Sequence, residues 1–201
     1  MFLADMLEDG EPRARGDAIG RPRGGQGCYR RLGMDVRFIN PFISSIKAVF
    51  RTMVNTEVTV GKPYVHNESA ATADVSGVIG FSGDASGCVV LSFPKEVACK
   101  AASAFAGIDI DEAHPDFADA VGELANMIAG NAKKDFAGMS VSISLPSVIV
   151  GKEHVVSQSR LCPRLIIPCE TGLGMFQVEV AMIVEKCQTG MARVPVVAAA
   201  E

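Results

Sequence analysis

The sequence predicts an α+β fold, a largely antiparallel sheet under helices, with elements in the order α-β-β-β-α-α-β-β-β. Three observations predict it. Strand-length apolar segments come in two runs of three, one on each side of a pair of helical segments. Strands grouped in this way give α+β layering rather than alternating βαβ units. The helical segments carry apolar residues at spacings of three and four, and Gly- or Pro-containing turns separate the strands.

The elements follow in chain order. From Phe38 to Val54, residues Phe42, Ile46, Val49, Phe50 and Met53 make one apolar stripe, with Asn40 and Pro41 suited to a capped first turn. Val58–Val65 reads as a strand. Asp74–Ser82 and Cys88–Phe93 read as a hairpin around Gly83-Asp84-Ala85-Ser86-Gly87. Pro94 opens a helix over Lys95–Ala106 that Gly107 ends, and a second helix runs from Pro115 or Asp116 to Phe136. Three strands close the domain: Ser140–Ile149 (broken at Pro146), Ser159–Cys169 and Gly174–Glu185. Glu170-Thr171-Gly172 turns between the last two.

Composition narrows the function. The chain has 201 residues, enough for one ordinary domain, and is 48% apolar and 21% charged, as a substantial core requires. A net charge of −4 without a basic stripe argues against a nucleic-acid partner. The longest apolar runs, Val148–Val150 and Val178–Val184, fall far short of the ~20 residues that cross a bilayer. No early basic cluster leads into an apolar run, so the N-terminus does not read as a secretory signal, and we expect a cytoplasmic protein with no membrane partner.

Residues 1–33 differ from the rest. All six basic residues there are arginine, whereas all eight lysines lie beyond Met34. The stretch carries no periodic apolar pattern. It reads as a disordered arm or as sequence upstream of a native start at Met34, with the second favoured. Five acidic residues (Asp5, Glu8, Asp9, Glu11, Asp17) weaken a reading as an Arg-rich targeting arm. Residues 34–187 are the expected domain, and residues 188–201 a flexible tail.

Six cysteines stand without C-x-x-C spacing, and three histidines are far apart. They read as reduced, mostly buried thiols and unconnected imidazoles, so no metal site is expected.

The stretch from Asp119 to Lys133 is the most informative. Wound at about 100° per residue, Phe117, Val121, Leu124, Ile128 and Ala132 share a buried face. Asp119, Glu123, Asn126, Gly130 and Lys133 share the opposite one. Glu123 and Asn126, at i and i+3, are neighbours, which places a carboxylate beside a carboxamide on a stiff ridge. Such a face is by itself compatible with an ordinary solvated surface. Against that, Gly122 and Gly130 each cost about 1 kcal/mol inside a helix relative to alanine, which calls for a packing or docking reason. Asn131 projects toward the flank of the buried face and reads as a hydrogen-bonded structural residue.

The pattern Asp119-x-x-x-Glu123-x-x-Asn126, continuing into Gly130-Asn131-Ala132-Lys133, resembles the (Ser/Asp)-x3-Glu-x2-Asn signature of the CheC/CheX/FliY phosphatases. The run from Glu123 to Lys133, the opening Phe38–Val49, the strand ending Val89-Val90-Leu91-Ser92-Phe93 and the three closing strands look most like the CheX branch. The resemblance covers about Met34–Cys187, and the signature occurs once, where CheC and FliY typically carry it twice.

The resemblance implies a CheC-like two-layer fold and hydrolysis of the phosphoaspartate of a CheY-like response regulator. Asn126 would position the attacking water, and Glu123 would anchor the regulator through its active-site lysine. Asp119, Gly130 and Lys133 would lie in the contact surface, although Asp119 serves equally as a helix-start carboxylate and Lys133 as a solvated lysine. The resemblance further implies no cofactor of the chain's own, a magnesium ion supplied by the bound regulator, and a homodimer formed through sheet edges. The alternative is a non-catalytic scaffold, related to flagellar switch proteins, that binds a receiver without hydrolysing its phosphate. A small-molecule hydrolase finds little support, since G-x-S-x-G, a P-loop and paired metal-ligand clusters are missing.

Overall fold

The structure is a computed structural model that describes residues 39–66, 73–156, 162 and 164–184. The arm expected at 1–33 and the tail expected at 188–201 lie outside the described residues.

Three helices, α1 (Ile39–Met53), α2 (Lys95–Ala106) and α3 (Phe117–Lys134), pack on one antiparallel sheet of eight described strands. These are β1 (Thr59–Val60), β2 (Tyr64–His66), β3 (Ala73–Gly83), β4 (Ala85–Phe93), β5 (Val141–Ile143), β6 (Ser147–His154), β7 (Arg164–Thr171) and β8 (Gly174–Val184). The sheet order is β1-β7-β8-β4-β3-β5, with β2 also on β7 and β6 also on β3. One edge is thus β1 and β2, the other β5 and β6. The expected α+β class and antiparallel sheet are both observed.

Four local expectations need correction. The strand expected over Val58–Val65 is two short strands, because Pro63 offers no N–H to the ladder. Ser140–Ile149 breaks at Pro146 as expected, into β5 and β6, and β6 runs on to His154. The hairpin turn starts one residue earlier than expected: the β3–β4 ladder ends at Phe81 and Gly87, which leaves residues 82–86 as the connection, and Gly83 turns the chain at φ 111°. Gly87 is needed for space as well as conformation, since a Cβ there would meet the Ala181 carbonyl oxygen. In α1 the helix begins at Ile39, so Asn40 lies within its first turn rather than capping it, and Met53 is 36% exposed rather than part of the stripe.

Alternation in the strands decides which face is covered. Val75, Ile79, Phe81, Val89, Leu91, Phe93, Leu165, Ile167, Phe176, Val178 and Val180 meet the stripes of the helices in one core. Phe50 stacks on Phe176 with ring centroids 4.5 Å apart, and Phe42 meets Phe81 edge-on at 5.9 Å. Ser45 on α1 donates to the Ile128 carbonyl of α3 at 2.8 Å, which ties the two helices together.

The face away from the helices carries a polar layer the sequence reading did not anticipate. Arg164 on β7 and Glu179 on β8 form a buried ion pair, Nη1 to Oε2 3.2 Å, and Gln177 Nε2 donates to Glu179 Oε1 at 3.2 Å. Arg164 Nη2 also donates to the Val156 carbonyl at 2.8 Å. Beside them Ser76 and Ser92 share a hydrogen bond at 3.0 Å, and His154 Nε2 reaches Ser76 Oγ at 2.8 Å. Of the described cysteines, Cys169 is buried and Cys88, Cys99 and Cys162 are half-buried. The expectation of mostly buried thiols therefore holds only for Cys169; Cys88 faces this polar layer instead of the core.

Candidate active site

Helix α3 is slightly shorter than the Pro115/Asp116–Phe136 expected, because Asp116 serves as its N-cap and Asp135 as its C-cap. Asp119 falls in the first turn and Lys133 and Lys134 in the last, so all three charges suit the helix dipole. Phe117, Val121, Leu124, Ile128 and Ala132 are all buried, as their spacing requires.

All five residues singled out in the sequence come to the opposite face. Asp119 and Glu123 are exposed, and Asn126, Gly130 and Lys133 are half-buried. The Asn126 Nδ2 donates to Glu123 Oε2 at 3.3 Å, and no partner among the described residues takes the Asn126 carboxamide oxygen. The pair is therefore ordered on one side and open on the other. Asn131 is a half-buried flank residue whose Oδ1 accepts from Lys134 Nζ at 2.9 Å, which fits the structural reading of that position.

The small residues around the pair divide into two kinds, which sequence could not separate. Gly122, Ala125 and Ala129 are buried. A Cβ on Gly122 would stand 3.3 Å from Pro146 Cβ and 3.3 Å from Val148 Cγ2, so this glycine lets the β5–β6 edge lie close against α3. Ala125 fits over Gly77 of β3, where a further Cβ would come within 2.9 Å. Gly130 is different. A Cβ there would meet only Ile143 Cδ1, at an ordinary 3.9 Å.

Chemically the site is a ridge. Two surface hollows, of about 550 Å³ beside Ser103 and His114 and about 510 Å³ beside Tyr64 and Gln177, include none of the five residues. Among the described residues neither hollow reaches the pair, and an exposed carboxylate beside a half-buried carboxamide suits entry into a cleft of another macromolecule. Among the described residues no group of three or more His, Cys, Asp or Glu could hold a metal ion, and no helix is long and apolar enough to cross a membrane.

Sequence reasoning missed one exposed residue on the edge beside α3. Leu145, between β5 and β6, is 87% exposed, and the residue after it is the proline packed on Gly122. The signal was present, since a proline within a strand pattern marks an edge strand or a bulge.

Comparison with known proteins shows the family. The family profile described as Chemotaxis phosphatase CheX matches residues 75–170, which span β3 to β7 and include the whole of α3. The CheY-P phosphatase CheX of Thermotoga maritima is 32% identical over 123 residues, 60% of this chain and 79% of that protein. The crystal structure of a chemotaxis protein CheX from Desulfovibrio desulfuricans superposes with a TM-score of 0.68 at 35% identity, covering 74% of this chain and 99% of that one. The CheX-CheY-BeF3-Mg complex from Borrelia burgdorferi superposes with a TM-score of 0.61 at 26% identity, covering 72% and 97%. Matched at 32% identity along 79% of a phosphatase relative's length, the chain belongs to the CheX family of chemotaxis phosphatases.

Proposed function

We propose that this protein hydrolyses the phosphoaspartate of a CheY-like response regulator, and that Glu123 and Asn126 carry the reaction. The observation that carries the proposal is the hydrogen-bonded Glu123–Asn126 pair on the exposed face of α3, held by a fully packed opposite face. The activity named for the Thermotoga relative and the partner present in the Borrelia complex support it.

Phosphoryl transfer to water needs an in-line water and stabilised charge on the equatorial oxygens, with little other covalent work for the protein. In this reading the receiver's own magnesium ion and lysine supply the charge. Asn126 enters the receiver site and its carboxamide orients the water, a task suited to a group that both donates and accepts and does not titrate. The water oxygen bonds to phosphorus as the aspartyl oxygen–phosphorus bond breaks. The products are the free aspartate carboxylate and inorganic phosphate, which keeps the water's protons. Glu123 pairs with the receiver lysine and sets the depth of insertion. Positioning of this kind is effective only on a rigid element, which the packed α3 provides. Asp119, Gly130 and Lys133 form the surrounding contact surface.

Residues 34–187 are the phosphatase domain of this proposal, acting in the cytoplasm as a homodimer joined through sheet edges. Exposed Tyr64 and Val65 on β2 and exposed Ile149 and Val150 on β6 support edge pairing. The deciding experiment is phosphate release from a phosphorylated receiver with magnesium, with and without this protein. Acceleration is expected. Binding to the phosphorylated receiver without acceleration would make the protein a non-catalytic scaffold.

A further inference from the structure

The edge of the sheet beside α3 departs from regular pairing between β5 and β6. On β3, Phe81 pairs with Ile143 of β5, and Val78 pairs with Ser147 of β6. Two residues of β3, Ile79 and Gly80, therefore face three on the edge strand: Ser144, Leu145 and Pro146. The surplus residue makes this a β-bulge, a device that re-aims a side chain and terminates pairing at sheet edges.

The bulge is held on both sides. Ser144 N donates to the Gly80 carbonyl at 2.9 Å, and Gly80 N donates to Ser144 Oγ at 2.9 Å. Ser144 Oγ in turn donates to the Leu145 carbonyl at 2.7 Å. On the other side Pro146 is wedged against Gly122 of α3, one helical turn before Asn126. Between these clamps Leu145 is 87% exposed. An exposed leucine is ordinary on a mobile loop. Here a leucine is expelled from a strand by a bulge whose neighbours are all pinned, and the bulge abuts the helix that carries the catalytic pair.

We infer that Leu145, presented by the β5–β6 bulge, is a specificity-determining contact that seats against an apolar patch on the receiver beside its phosphorylation site. The inference rests on the function proposed above and adds to it an apolar contact from the sheet edge that abuts α3. Polar insertion by Glu123 and Asn126 would recognise features that phosphorylated receivers share. An apolar side chain at a fixed offset from Asn126 reads a surface on which receivers differ.

The test uses the full chain with substitutions Leu145→Ser and Leu145→Met, which an 87% exposed position tolerates in folding. Affinity is measured for the receiver held in its active form by beryllofluoride and magnesium, and dephosphorylation is followed across receiver concentrations. Leu145→Ser should raise the dissociation constant and the half-saturating receiver concentration about tenfold, since an apolar contact of this size is lost. The rate at saturation should stay within about twofold, and Leu145→Met should restore most of the affinity. Wild-type affinity in Leu145→Ser, with weakened binding in Glu123→Ala, would overturn the inference and leave the proposed function standing. Dissociation of a dimer by Leu145→Ser with unchanged receiver affinity would overturn it in favour of contact with a second copy. Failure of the wild-type protein to accelerate phosphate release would sink both.

Discussion

The Asn126 amide nitrogen lies 3.3 Å from a Glu123 carboxylate oxygen, so the two side chains form one unit before any partner arrives. That coupling shapes the first prediction. If Asn126 orients the attacking water as proposed, Asn126→Ala should lower single-turnover dephosphorylation by about a hundredfold or more, with receiver binding largely kept. Glu123→Ala removes the group that orders Asn126 and, in the proposed docking, the partner of the receiver lysine. It should weaken both binding and rate, and the binding loss should shrink at high salt. Circular dichroism melts of both should match wild type. Full activity in Asn126→Ala would return this helix face to a structural role.

The Arg164–Glu179 pair is buried on the sheet face away from α3, and its members should behave very differently singly and together. Glu179→Gln or Arg164→Met leaves one buried charge without its counter-ion and should cost about 3–5 kcal/mol. A melting point lower by on the order of 10 °C would show it. Replacing both, as Arg164→Met with Glu179→Leu, should recover most of that loss. Phosphatase rate per folded molecule should be unchanged throughout, because no residue of the ridge touches this pair.

Two thiols make alkaline stability a measurable consequence of burial. Burial pushes the Cys169 thiol from its ordinary 9.0 up to about 12. Burial first, then the neighbouring Cys162, pushes Cys88 from 9.0 up to about 11, against the lowering effect of Arg164. Above pH 9 the unfolded chain releases these protons while the folded chain holds them. Stability from the thiols is therefore complete below about pH 9 and is lost as pH rises toward 11–12, by up to about 1.4 kcal/mol per pH unit for each thiol. Denaturant midpoints between pH 8.5 and 10.5 should fall more gently in Cys169→Val than in wild type. Equal slopes would show that Cys169 ionises freely in the folded protein.

The parts of the fold legible in the sequence were those set by local spacing. The buried face of α3, the Pro94 and Gly107 limits of α2 and the pairing of β7 with β8 all follow from periodicity and turn residues within one segment. What stayed hidden depends on strands distant in sequence. Glu179 looked like an interruption of an apolar strand, and only the β7–β8 register sets it diagonally from Arg164. Leu145 looked like a strand residue, and only pairing with β3 reveals that it is surplus. The ridge residues could be listed from the helical wheel. Whether each small residue beside them faces the sheet or a partner could not be told, since that depends on where the β5–β6 edge lies.

That ambiguity gives the last prediction, in which two glycines of one helix respond oppositely. Both lower helix propensity by about 1 kcal/mol relative to alanine. At Gly122 a methyl group would stand 3.3 Å from Pro146 and Val148, so the edge strand must shift by a few tenths of an ångström to admit it. Gly122→Ala should therefore gain little stability or lose some. At Gly130 the same methyl would meet only Ile143 Cδ1 at 3.9 Å, so Gly130→Ala should raise stability by about 1 kcal/mol, seen as a higher denaturant midpoint with an unchanged slope. A glycine that the fold would gain by replacing has its reason outside the fold. If that reason is close approach of the receiver to α3, Gly130→Ala should bind the beryllofluoride-activated receiver several-fold more weakly although it is the more stable protein. A variant that gains stability and keeps wild-type affinity would remove Gly130 from the contact surface and leave Glu123 and Asn126 to dock without it.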